Sequence, residues 1–153
     1  MRHLAFMPLL LLAAIPARAA DPCPLVSGSD QPAVVELVVA DPNGTLVAGA
    51  TFEVDHPEKK VGLEGEGIHV PKSTISGAPT DAIASANDLG DRVRVVIARA
   101  GELPTNGPLL TLHFARCADA PPVTAADFSC KVVTAADPTS QKVPDVGCKV
   151  TVP

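Results

Sequence analysis

The chain has 153 residues, with 12 Lys+Arg against 17 Asp+Glu, a formal net charge of −5, four Phe and no Trp or Tyr. That length suits one domain with a self-sufficient core, and the acidic balance is a poor electrostatic match for nucleic acid or an anionic lipid surface. Without Trp or Tyr there is almost nothing from which to build the exposed flat rings that sugar-binding surfaces usually need.

In chain order, the first element is a targeting signal. Arg2 and His3 form a short polar n-region, residues 6–15 an apolar h-region, and Ala17-Arg18-Ala19 a small-x-small cleavage site. The apolar stretch is short for a bilayer span, so a signal peptide over residues 1–19 is expected, with no membrane insertion after its removal. Processing takes away Arg2 and Arg18, leaving 10 cationic against 17 acidic residues. The mature chain is expected to be secreted or periplasmic, with cell-surface association compatible.

Residues 20–32 read as an irregular lead-in and 33–153 as one β domain. Residues 34–39 are a continuous apolar strand broken by Glu36, and Asp41-Pro42-Asn43-Gly44 is a turn. Over 46–54, Ala50, Phe52 and Val54 face one way while Thr51, Glu53 and Asp55 face the other. Asp55-His56-Pro57-Glu58 ends that strand, 61–63 begins a short one, and Gly62, Gly65 and Gly67 interrupt it. Residues 71–79 are Ser/Thr/Gly/Pro-rich and read as loop, and 82–86 as a weak strand.

Leu89-Gly90-Asp91 turns into 92–98, where Val93, Val95 and Ile97 form the inward set. After the loop at 101–108, Leu110, Leu112 and Phe114 alternate with Thr111, His113 and Ala115. Thr124-Ala125-Ala126-Asp127 reads as loop rather than helix. Residues 128–134 form a strand with Phe128, Cys130 and Val132 on one face, and 146–152 the last strand. Short strands separated by turn residues, with no convincing amphipathic helix, predict an all-β, antiparallel β-sandwich.

Cys23, Cys117, Cys130 and Cys148 are an even set in a chain that begins with a signal, so two disulfides are expected. Three connectivities are possible. The favoured one pairs Cys117 with Cys130, closing a loop worth roughly 3 kcal/mol, and Cys23 with Cys148, tying the mature N-terminus to the last strand. No Cys-x-x-Cys spacing supports a redox or zinc site.

The histidines of the mature chain are His56, His69 and His113. No pair has a ligand spacing, so no metal is expected, and His113 reads as a surface histidine on the polar side of its strand. A Ser-His-Asp arrangement lacks the Gly-x-Ser-x-Gly turn that would support it. Glu64 and Glu66 share a strand face but sit among glycines, without the aromatic subsites of a glycosidase. Asp41-x-Asn43-Gly44 lacks the repeated acidic ligands of a calcium loop. No enzyme activity and no cofactor are therefore expected.

Four stretches together resemble cohesin domains. They are Phe-x-Val-x-His-Pro from Phe52 to Pro57, followed by Val61-x-Leu63 and Gly65-x-Gly67; the apolar strand at 91–98; Gly-Pro-Leu-Leu-Thr-Leu-His-Phe at 107–114; and the closing strand at 146–152, with Gly147 early and Val150-x-Val152 late. The match covers 33–153 and is most similar to short, cysteine-bearing, non-cellulosomal cohesin-like proteins of bacteria. His56-Pro57 replaces the family's Tyr-Asp-Pro corner, and cysteines are not part of the cellulosomal pattern.

The resemblance implies a jelly-roll-like sandwich of roughly nine strands, related to carbohydrate-binding modules. It also implies an extracellular protein partner, of dockerin type, bound through one sheet face. That face would draw on residues 61–66, 92–98 and 128–133, with Glu64, Glu66, Arg92, Arg94, Ser129 and Lys131 pointing outward. The alternatives are a polysaccharide-binding module and a structural protein of the cell envelope.

Overall fold

Alternating burial runs through the long strands. In β1 (Gln31–Val38) Ala33, Val35 and Leu37 are buried, and in β2 (Gly49–Asp55) Ala50, Phe52 and Val54 are buried while Thr51, Glu53 and Asp55 face outward. Period-two burial is what a pleated strand with one covered face requires. The computed structural model describes residues 23–153, so the signal peptide read over 1–19 lies outside the described residues.

Chain order continues with β3 (Val61–Gly62), β4 (Ile75–Ser76), β5 (Ile83–Asp88), β6 (Arg92–Ala98), β7 (Pro108–Arg116), β8 (Ser129–Ala136) and β9 (Gly147–Thr151). They form two antiparallel sheets. One is ordered β3-β7-β1-β9, with β4 also on β7; the other is ordered β5-β6-β2-β8. The all-β sandwich predicted from the turn spacing is what the chain adopts.

The core lies between the sheets, where Phe52, Phe114, Leu37, Ile97, Leu109, Leu110 and Leu112 are fully buried. Each such side chain contributes about 1.5–3 kcal/mol relative to exposure. Leu109 and Leu110 are both buried although they are adjacent. The register slips here, with Val35 opposite Leu110 but Glu36 opposite Pro108, so Leu109 is an extra residue in β7. Asn106 anchors the loop before it: its side chain accepts from Val39 N at 3.0 Å and donates to Val39 O at 2.9 Å, extending the β1 ladder by one residue.

Three expectations change. Residues 71–79 are not all loop: a 3₁₀ turn at Lys72–Thr74 leads into β4, which pairs Ile75 with Leu112 and Ser76 with Thr111. A two-residue strand carries no alternation of its own and exists because the β7 edge offers it partners. Residues 125–127 form a single 3₁₀ turn, fixed by Asp127, which accepts from Thr124 N at 2.8 Å and pairs with Lys60 at 2.7 Å.

The third change is the disulfide pairing. The bridges are Cys23–Cys117 and Cys130–Cys148, not Cys117–Cys130 and Cys23–Cys148. Cys117 follows β7 in one sheet while Cys130 lies in β8 of the other, so closeness in sequence does not bring them together. β8 and β9 are edge strands of opposite sheets, and Cys130–Cys148 joins them. Cys23–Cys117 instead clips the lead-in to the end of β7. There, Val26 N donates to Arg116 O at 2.8 Å and Arg116 N donates to Ser29 Oγ at 2.9 Å. Two disulfides point to an oxidising setting.

Candidate functional site

Four of the six candidate residues share the outer face of the β5-β6-β2-β8 sheet. β2 is its centre. Glu53 stands between Arg94 of β6 and Lys131 of β8, and Asp55 between Arg92 and Ser129. Arg94 donates to Glu53 Oε1 through Nε at 2.9 Å and Nη2 at 2.5 Å. Arg92 reaches Asp91 at 2.7 Å and Glu53 at 3.6 Å, and Ser129 Oγ donates to Asp55 at 2.7 Å.

The two guanidinium groups leave the Glu53 side chain only 13% exposed. The Arg94 hydrogen bond, aided by the charges of Arg94 and Arg92, holds the Glu53 carboxyl below its ordinary range against the cost of its desolvation. Exposed ion pairs of this kind add little stability one by one, but together they hold the charges in a fixed pattern. The same face also carries branched apolar residues: Ile83 is 81%, Val96 46% and Val133 50% exposed. Val133 is turned out by a bulge, since Phe52 pairs with Val132 but Thr51 with Thr134.

Glu64 and Glu66 are not part of this face. They follow β3, which pairs with β7 in the other sheet, and they line a cleft of about 790 Å³. Leu25, Val61, Leu63, His56, Glu58 and Asp88 also line it. The path from β3 to Gly67 is tightly turned: Gly65 has φ +87, and a Cβ there would stand 2.6 Å from His69 O. Glycine is required at that position.

His56 is 92% buried by its 8% exposure, with its ring centroid 5.2 Å from that of Phe114. Neither ring nitrogen has a hydrogen-bond partner. Burial lowers its proton affinity, opposed by the charges of Asp88, Glu58 and Asp91 and, least, by the Gly90 backbone. His56 is therefore a neutral imidazole at pH 7.

The other histidines differ. His69 is exposed at the end of a 3₁₀ turn. His113 is not free on the surface as its strand position suggested: its Nδ1 lies 2.9 Å from Asp30 Oδ1 and its Nε2 2.6 Å from Ser76 Oγ. A hollow of about 240 Å³ lies beside it. Among the described residues no group of three metal-ligating side chains gathers.

Asp30 and Ser76 escaped notice in the sequence because one lay in the lead-in and the other in a segment read as loop. The outward position of His113 was the only signal available, and its neighbours depend on strand register. Comparison with protein-family models, with curated proteins and with solved structures returns no match.

Proposed function

We propose that this chain is a secreted or periplasmic binding module of cohesin type that docks an extracellular protein partner through the outer face of the β5-β6-β2-β8 sheet. The observation that carries this reading is the composition of that face. Branched apolar side chains stand exposed at Ile83, Val96 and Val133 beside the paired charges of Arg92, Arg94 and Glu53, with Lys131 opposite Glu53 in register. Apolar contacts supply affinity on such a surface, and fixed charges select the partner and its register. Support for the location comes from the two disulfides.

A polysaccharide ligand is less well served. Phe52, Phe114 and Phe128 are all buried, so among the described residues no phenyl ring is available for stacking on a sugar.

The test is affinity capture from the secretome of the source cells with the processed domain, run beside the variants Arg94→Glu and Val133→Asp. A protein retained by the wild type and lost with both variants is the expected result. Retention that is equal for all three, or absent with folded protein, overturns the reading.

A further inference from the structure

The opposite outer face, on the five-stranded sheet, carries a constellation that partner docking does not use. β1 pairs with β7 with Pro32 opposite His113, and β4 pairs with β7 with Ser76 opposite Thr111. Asp30 and Ser76 therefore flank His113 diagonally from its two neighbouring segments, within side-chain reach.

The direction of each hydrogen bond follows from chemistry. An ionised carboxylate only accepts, so the 2.9 Å contact places a proton on His113 Nδ1. A neutral imidazole then has its lone pair on Nε2, and the 2.6 Å contact is donated by Ser76 Oγ–H. This is the polarity of a hydroxyl facing a base that a carboxylate orients, an arrangement defined by geometry and roles rather than by sequence position.

Two further features bear on reactivity. Gly77 follows Ser76 with φ +69, turning the chain directly after the hydroxyl. In serine hydrolases the amide of the residue after the nucleophile is one of those that stabilise the oxyanion. The adjoining hollow of about 240 Å³ is small and reaches the constellation on the side of Asp30 and His113, Ser76 standing outside its wall; Ser29, Ser73, Thr74 and Glu64 line it together with the apolar Pro71 and Ala115. Hydroxyls on its wall suit a polar leaving group, and the Glu64 carboxylate disfavours an anionic one.

We propose that Ser76, His113 and Asp30 form an acyl-transfer site that hydrolyses short-chain carboxylic esters of uncharged, hydroxyl-bearing alcohols. Ser76 Oγ attacks the ester carbonyl as its proton passes to His113 Nε2, and the carbonyl π pair moves to oxygen. Collapse of this adduct breaks the ester C–O bond. The alcohol leaves with the proton from His113, and Ser76 is left acylated. Water, deprotonated by the same imidazole, attacks the acyl-serine to release the carboxylic acid and restore the hydroxyl. Asp30 acts as a positioning residue that holds the His113 tautomer.

The experiment treats the processed, oxidised domain with a fluorophosphonate probe and reads the adduct by intact mass and peptide mapping. In parallel, hydrolysis of p-nitrophenyl acetate is followed. Ser129 is an internal control, since it is an exposed serine hydrogen-bonded to a carboxylate without a histidine. A single adduct on Ser76 is expected, with Ser129 unlabelled. Ser76→Ala abolishes labelling and ester turnover, and His113→Gln lowers both about a hundredfold. Asp30→Asn lowers them too, whereas Asp30→Glu retains part of the rate. Equal labelling of Ser76 and Ser129, no adduct on folded wild-type protein, or ester hydrolysis unchanged in Ser76→Ala overturns the proposal and leaves the three residues as a structural strut.

Discussion

His56 is the residue whose surroundings fit its chemistry least. Two polar nitrogens are enclosed without partners, a state that costs about 1–3 kcal/mol per group. Its proton affinity in the fold lies below the ordinary value of 6.5. As pH falls through 6.5 the unfolded chain takes up a proton that the folded chain still refuses. Below 6.5 the unfolded state therefore binds more protons, and stability drops as pH falls towards the folded value. Glu53, Asp91, Asp127 and Asp137 are also shifted down, from ordinary values of 4.5 and 3.8, so their contributions fade only at more acid pH. Of these shifted groups, His56 is the one that acts just below pH 6.5. His56→Phe is expected to leave stability at pH 7.5 unchanged or higher and to flatten its decline between pH 7.5 and 5.5. Urea unfolding midpoints at the two values check this, and an unchanged slope in the variant refutes it. The sequence placed His56 at a corner, but enclosure depends on Phe114 from β7 and on the β5–β6 turn, neither of which is near it in the chain.

Strands with clear alternation were legible as elements. The 92–98 reading coincides with β6, Arg92–Ala98, because Val93, Val95 and Ile97 alternate with Arg92, Arg94 and Val96 without interruption. β4 was not legible, because two residues have no period. The cysteines illustrate a related limit: they were recognised as a disulfide set, but pairing follows from which strand ends are adjacent across the sandwich. In the chain-entropy model, sequence separations of 94 for Cys23–Cys117 and 18 for Cys130–Cys148 correspond to about 5 and about 3 kcal/mol. Removing the first bridge by Cys23→Ala/Cys117→Ala is thus expected to be the more costly change in guanidinium unfolding. It also frees the segment that carries Asp30. Fluorophosphonate labelling of Ser76 should fall in that variant, while Cys130→Ala/Cys148→Ala leaves it intact. The reverse ranking, in either measurement, contradicts this account.

At the scale of the whole molecule, the fold class was legible and the assembly of its surface only partly so. Arg92, Arg94, Ser129 and Lys131 share one face because β6 and β8 both pair with β2. Glu64 and Glu66 were expected on that face through the cohesin resemblance, but β3 joins the other sheet, and no feature of residues 61–66 alone indicates which sheet recruits them. The sandwich consequently presents two outer faces of different character, separated by the buried core. One holds the ordered charges and exposed Ile83, Val96 and Val133; the other holds Ser76, His113 and Asp30. Partner docking on the first face should respond to ionic strength, since charges in solvent are screened beyond about 10 Å at 0.1 M salt. Wild-type binding is expected to weaken with added salt, chiefly through slower association. Arg94→Glu should bind weakly with little remaining salt dependence, whereas Val133→Asp should lose affinity at every salt concentration. Surface plasmon resonance with the captured partner separates these cases. Neither variant reaches the opposite face, so both should keep the wild-type rate of Ser76 labelling; a loss there would mean that the two faces are coupled through the core.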